Sequence, residues 1–230
     1  AGLTNLETLH LGVLHEITDV TPLAGLTNLK KLNLYKNQVR DLSPLAGLTK
    51  LEWLSLSNNN ISNIGFLASL TNLTFLHLSA NQISNIGSLA NLINLGDIDL
   101  SNNQISNVGS LAKLALGRLN LGNNQISDVS PLASLTNLVT LNLSGSPITD
   151  ITPLARLTSL KVLSLNWNKI TDITPLSKLT NLIELDLGGN RITDLSPLTK
   201  LTKLKVLYLN RNQITDFTPL TKMTNLKMLS

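Results

Sequence analysis

The chain has 230 residues, 42% apolar and only 3% aromatic, with a formal net charge of +4. That length is enough for a large continuous core, and no apolar run approaches the roughly 18 residues a membrane-spanning helix needs. Cysteine is absent, which excludes disulfides, thiolate metal sites and cysteine nucleophiles and leaves the redox compartment open.

The N-terminal stretch AGLTNLETL has neither the basic start nor the apolar run of a secretory signal. From Leu6 onward one 22-residue unit recurs to the end of the chain, with starts at 6, 29, 51, 73, 95, 116, 138, 160, 182, 204 and 226. The first step is 23 residues and the fifth is 21. One such unit cannot bury its own apolar side, whereas stacked neighbours can, so the repeat specifies a solenoid.

Each unit opens with LxxLxL, whose second and third leucines lie two apart and point to one face of a strand. Leu163 and Leu165 are one such pair, and successive coils add strands to a parallel sheet about 4.8 Å apart. An asparagine follows at the ninth position: Asn37, Asn59, Asn81, Asn103, Asn124, Asn168, Asn190 and Asn212. A tight turn leaves backbone groups unpaired inside the stack, and the amide of Asn can pair with both kinds. These asparagines are therefore assigned to structure. Next comes I-T-D-I-T-P-L, with seven of the eight prolines in one slot. Its S/T-P pair predicts a helix cap followed by proline at the first helical position, leading into one or two turns of 3₁₀ or α-helix. Helical segments need more lateral room than strands, which places the sheet on the inner curve of an arc.

The full pattern, LxxLxLxxNxI(S/T)DI(S/T)PLAxLTN, resembles the 22-residue leucine-rich repeats of bacterial internalins. The resemblance covers the whole chain. It implies an α/β solenoid, a leucine-rich repeat horseshoe with a parallel concave sheet, short 3₁₀ or α turns on the convex side and about ten coils. It also implies a single domain over residues 1–230. The chain starts and stops inside a repeat, so we expect an uncapped fragment of something longer. Internalins are surface or secreted proteins that grip host receptors with the concave face. The resemblance thus implies a protein partner and a surface or secreted location.

Four departures from the pattern follow in chain order. Leu14 replaces the ladder asparagine in the first unit. Three coils read SNIGF (62–66), SNIGS (84–88) and SNVGS (106–110), losing Asp and Pro together. They are either a specialised convex patch or copies of one variant coil. The fifth unit is a residue short, and Ser146–Pro147 replaces the turn asparagine and its neighbour, which predicts a gap in the ladder. Charge is zoned as well. Residues 30–50 carry five basic side chains against Asp41, residues 51–112 carry no Lys or Arg, and residues 156–230 carry eleven basic and five acidic. Alternating zones suit a protein partner and not a continuous nucleic-acid track, so nucleic acid is not expected, nor is membrane insertion.

Once the core positions are assigned, the remaining strand positions form solvent-facing columns. Tyr35, Trp53, Phe75 and Tyr208 occupy them and Trp167 sits one place beyond, which accounts for five of the seven aromatics. A core built from Leu and Ile has no need of aromatics there, and Trp and Tyr commonly anchor interfaces. Trp53 and Phe75 fall on adjacent strands, with His77 on the same face and Asp97 and Asp99 on the next strand. Lys31 and Arg118 flank this patch. Gly145 and Gly189 lie on either side of Trp167 and leave its ring room to receive a partner. The expected contact residues are Tyr35, Trp53, Phe75, His77, Asp97, Asp99 and Arg118, with Trp167, Tyr208 and Arg211 as a second cluster. His77 with the two aspartates forms no enclosed pocket, so neither a metal, a cofactor nor catalysis is expected. The chain reads as a non-enzymatic protein-binding module, with carbohydrate or cell-wall binding and an intracellular scaffold as alternatives.

Overall fold

The computed structural model describes residues 2–230, and the chain divides into two compact units, Ala1–Leu116 and Gly117–Ser230. The division falls beside the coil that is one residue short. In the first unit the strands are β1 (Thr8–His10), β2 (Lys31–Asn33), β3 (Trp53–Ser55), β4 (Phe75–His77) and β5 (Asp97–Asp99). They pair in chain order, all parallel, with matching repeat positions side by side. In the second unit β6 (Arg118–Asn120), β7 (Thr140–Asn142), β8 (Val162–Ser164), β9 (Glu184–Asp186), β10 (Val206–Tyr208) and β11 (Met228–Leu229) do the same.

The core repeats with the sequence. In the coil starting at 160, Leu160, Leu163, Leu165, Ile170, Ile173, Leu176 and Leu179 are at most 1% exposed. Burying each such side chain stabilises by roughly 1.5–3 kcal/mol. The middle residue of each strand points into this core and its two neighbours point outward, so the open face carries the third and fifth positions of each unit. The first and last coils have a neighbour on one side only. Their core residues, Leu6, Leu9 and Leu11 at one end and Ile214 and Leu220 at the other, are correspondingly only half-buried.

Backbone groups that the sheet leaves over are taken up by the asparagine ladder. Asn59 Nδ2 donates to the carbonyls of Leu34 and Leu56 at 2.9 and 3.0 Å, and its Oδ1 accepts the N–H of Val39 at 3.0 Å. Asn81, Asn103, Asn168 and Asn190 repeat this three-way pairing in their own coils. The expected gap is present at Ser146. Its side chain is too short to reach, and its Oγ is buried without a hydrogen-bond partner among the described residues. Pro147 removes a further bond, because the residue at this place donates its N–H to the preceding coil elsewhere, as Lys169 does to Ile148 and Arg191 to Ile170.

The turns on the side opposite the sheet are 3₁₀, and their capping differs from the sequence expectation. Ser43, Thr152 and Thr174 are the first helical residues, proline is the second, and the preceding apolar residue makes no side-chain cap. The aspartate two residues before the Ser or Thr does the capping. Asp41 Oδ1 accepts the Ser43 N–H at 2.9 Å and Asp172 Oδ1 that of Thr174 at 2.8 Å. A carboxylate reaches the N–H two residues on without leaving its own turn, whereas the hydroxyl of the first helical residue is already past the donors it would cap. Asn63, Asn85 and Asn107 accept the same bond from the glycine two residues on, so the three variant coils keep the turn and lose only the charge.

Two outcomes are expected. Ser146→Asn combined with Pro147→Gln restores the missing bonds, each worth about 1 kcal/mol, and raises the thermal midpoint by roughly 2–4 °C for each kcal/mol. An unchanged or lower midpoint in a thermal melt would show that the gap costs nothing. The second concerns acid. Hydrogen bonds from the following Ser or Thr hold Asp41, Asp128, Asp150, Asp172, Asp194 and Asp216 below the usual carboxylate range. A carboxyl group depressed in the folded state contributes stability above its unfolded pKa and loses it as pH falls. The midpoint should therefore fall as pH drops below about 4. In the variant Asp172→Asn with Asp194→Asn that fall should be shallower, as read by melts between pH 7 and pH 2.

Candidate functional site

On the open face of the first unit, Trp53 and Phe75 stand opposite one another on β3 and β4. Their ring centroids are 4.8 Å apart and the planes differ by 10°. That separation is the strand spacing itself, so the rings stand upright from the sheet, stacked along the direction in which strands are added. Their mutual faces are used on each other, and outward they present edges, which carry the positive end of the ring quadrupole. His77, two residues along β4, tilts against Phe75 at 3.9 Å and 34°. Its Nε2 lies 3.5 Å from Asp97 Oδ1, an ion pair when the imidazole is protonated. Trp53, Phe75, His77 and Asp97 are thus brought together as one contiguous set, each half-buried.

Three residues expected in that set stand differently. Asp99 Oδ1 accepts the N–H of Ser101 at 2.9 Å and its hydroxyl at 2.7 Å. Asn33, Asn120, Asn142 and Asp186 make the same bond to the N–H two residues on. Asp99 therefore closes the strand exit, a structural duty that the polar residue at this place shares across coils. Tyr35 makes no ring contact with the stack among the described residues, and Lys36 Nζ lies 5.4 Å from its ring centroid. Arg118 is the exposed first residue of β6 and belongs to the second unit.

In the second unit Trp167 is 54% exposed and its backbone has a positive φ of 56°. Every coil but the last places its eighth residue in this left-handed region, where Asn and Gly are at ease and a bulky side chain costs about 1–2 kcal/mol. Arg211, two coils further on, is held the same way at 59°. Its guanidinium lies 4.8 Å from the Trp167 ring centroid. Here the structure corrects the sequence reading. The space beside Gly189 is not open to a partner, because the indole itself fills it: a Cβ there would sit 2.9 Å from Trp167 Cε3. The Asn123 side chain occupies the matching space beside Gly145. The ring lies across Gly189 to meet Arg211, a cation–π contact that fixes both. Tyr208 is not part of this pair; its hydroxyl donates to Met228 Sδ at 3.6 Å.

One column residue outside the expected contact set also stands out. Asp186, opposite Tyr208 on the neighbouring strand, is partly buried, and desolvation pushes its carboxyl up despite the hydrogen bond from Gly188. Its column position was legible, but its burial was not, since that depends on the size of the side chains above and below it. Among the described residues no group of His, Asp and Glu is arranged to hold a metal ion, and no helix is long and apolar enough to cross a membrane.

The family model described as Leucine Rich repeats (2 copies) matches residues 4–47, 49–91, 71–113, 116–156 and 158–200, and a single-repeat model, Leucine Rich repeat, matches 200–216. No curated sequence matches significantly. Among solved structures, the internalin InlF of Listeria monocytogenes is 40% identical, with a TM-score of 0.96 over 98% of this chain and 67% of its own. A leucine-rich repeat protein of Leptospira interrogans is 28% identical, with a TM-score of 0.90 over 99% of this chain and 60% of its own. The functional domain of InlJ from Listeria monocytogenes is 25% identical, with a TM-score of 0.78 over 99% and 53%. The chain thus spans between about half and two thirds of the length of these relatives. With a family model over most of its length and a relative at this identity over nearly all of it, the chain belongs to the leucine-rich repeat family, and its 22-residue coils are of the internalin type.

Proposed function

We propose that the chain is a non-catalytic recognition module that binds a protein through the open face of its sheet, as a surface or secreted protein of internalin type acting as one domain of about ten coils. The observation that carries this reading is the upright stack of Trp53 and Phe75 with His77 and Asp97 beside it. Half-buried aromatics on a sheet face, outside a core that Leu and Ile already fill, are the residue type from which interface anchors are made. Tyr35 and Asp99 border this set, and in the second unit Arg118, Tyr208 and the pair of Trp167 with Arg211 supply a second anchor. The relationship to internalins supports the same reading.

A protein ligand is favoured over a sugar by the stance of the rings. Sugar binding rests a ring face against the ligand; one face of each ring is spent on the other, and His77 tilts against Phe75, which leaves less ring face for a sugar. An upright stack instead suits insertion between the side chains of a folded partner.

The test begins with a pull-down of surface proteins on the immobilised chain, run beside a glycan array. Binding of the captured protein is then measured by biolayer interferometry. Trp53→Ala with Phe75→Ala should leave the melt unchanged and weaken binding by at least about 2 kcal/mol, close to 30-fold. Gly189→Ala, which displaces the indole of Trp167, should weaken it less. Full affinity in the first variant would move the contact elsewhere, and a glycan hit that is lost in that variant, with no protein captured, would replace the reading.

A further inference from the structure

The eleven basic residues that the sequence places among 156–230 are not spread over the second unit. They are sorted by the edge of the coil on which they lie. Four returns lead from a 3₁₀ turn to the next strand: 156–161 (RLTSLK), 178–183 (KLTNLI), 200–205 (KLTKLK) and 222–227 (KMTNLK). They hold eight Lys and Arg and not one Asp or Glu. Arg156, Lys178, Lys200 and Lys222 each end a 3₁₀ turn, at the same place in four successive coils. All four are exposed. A second rank, Lys161, Lys205 and Lys227, stands where each return meets its strand, also exposed. The unit's capping aspartates, Asp128, Asp150, Asp172, Asp194 and Asp216, lie on the opposite crossing, between strand and 3₁₀ turn.

Two further observations give this edge a direction. Among the described residues none of the eight cations forms an ion pair; Lys203 Nζ meets only the neutral amide of Asn181, at 2.7 Å. In the first unit, by contrast, Lys30 on the equivalent return is bound to Glu7 at 2.9 Å. Uncompensated charges repel, and a stack that holds them at least one strand spacing apart keeps a line of four over at least about 15 Å. Such a line attracts a partner whose negative charges recur along a chain.

We propose that the return edge of the second unit is a binding site for a linear anionic polysaccharide, distinct from the open sheet face. The chemistry of the edge selects among polyanions. The returns contain no Trp, Tyr or Phe, so unpaired bases find nothing to stack on. Seven of the eight cations are Lys, hydrated point charges on flexible stems that follow recurring anionic groups without demanding one fixed geometry. Of the aliphatic side chains between them Leu157, Leu160, Leu179, Leu182, Leu201 and Leu204 are buried and only Ile183 and Leu226 are half-buried, so little is left to enter a bilayer. What remains is a narrow rank of flexible ammonium groups, suited to sulfate or carboxylate groups borne on a sugar chain.

The test uses the full chain and a heparin-derived octasaccharide, with calorimetry at 50 and 150 mM NaCl. Binding is expected at both, weaker at the higher salt. Lys178→Glu with Lys200→Glu and Lys222→Glu should lower the affinity at least 10-fold. Arg40→Glu with Lys50→Glu and Lys113→Glu, an equal change of net charge in the first unit, should change it less than 3-fold. Melts of both variants check folding, and Gln in place of Glu serves should the first variant melt early. A 20-residue thymidine oligonucleotide and phosphatidylserine-containing vesicles are run in parallel. The proposal is overturned by no octasaccharide binding at 150 mM NaCl, by equal losses in the two variants, or by tighter binding of the oligonucleotide or the vesicles.

Discussion

The structure depends on one constraint: every coil must turn out of its strand inside a stack that excludes water, and the backbone groups exposed by the turn need partners there. The ninth-position asparagine meets that need with one amide, bonding its own coil and the preceding one at once. An unpaired buried donor or acceptor costs roughly 1–3 kcal/mol, comparable with burying a leucine, so the ladder ranks with the apolar core. It also sets the register. An amide that must reach two carbonyls and one N–H tolerates no slippage between coils, and each strand therefore meets its neighbour at the same repeat position. At Ser146 the core is as tight as elsewhere while the ladder is broken. Apolar packing and polar satisfaction are thus separable contributions in this fold.

Register turns a one-dimensional repeat into two-dimensional surfaces. Residues 22 apart become lateral neighbours, and a property spread thinly along the chain is concentrated on one face. Trp53 and Phe75 are distant in sequence and in stacking contact in space. The lysines that close the 3₁₀ turns are equally distant in sequence and form a line. The same arithmetic gathers the capping aspartates, where neighbours such as Asp172 and Asp216 raise the pKa of Asp194 and partly oppose the hydrogen bonds that lower it.

The left-handed eighth position shows how a backbone demand becomes a surface feature. Asn58, Asn102, Asn123, Gly145 and Gly189 meet it at little cost. Trp167 meets it with a bulky side chain, and Gly189 in the next coil gives the ring somewhere to lie. The glycine serves both its own turn and its neighbour's side chain. The Trp167–Arg211 pair is preorganised as a result, its ring and guanidinium already in contact in the free chain.

The sequence by itself determined the fold, the place of each core residue and the duty of the asparagines, because a strict period leaves one way to stack coils and one set of positions able to fill the core. It also marked the aromatic columns and the break at Ser146. Only the tertiary structure decided how those side chains are used. Ring stance, the closing of the space beside Gly189, the strand-exit bond of Asp99 and the capping by aspartate ahead of Ser or Thr all turn on distances between atoms of adjacent turns and coils. A period states which residues are neighbours; the shape and reach of each side chain decide what the neighbours do.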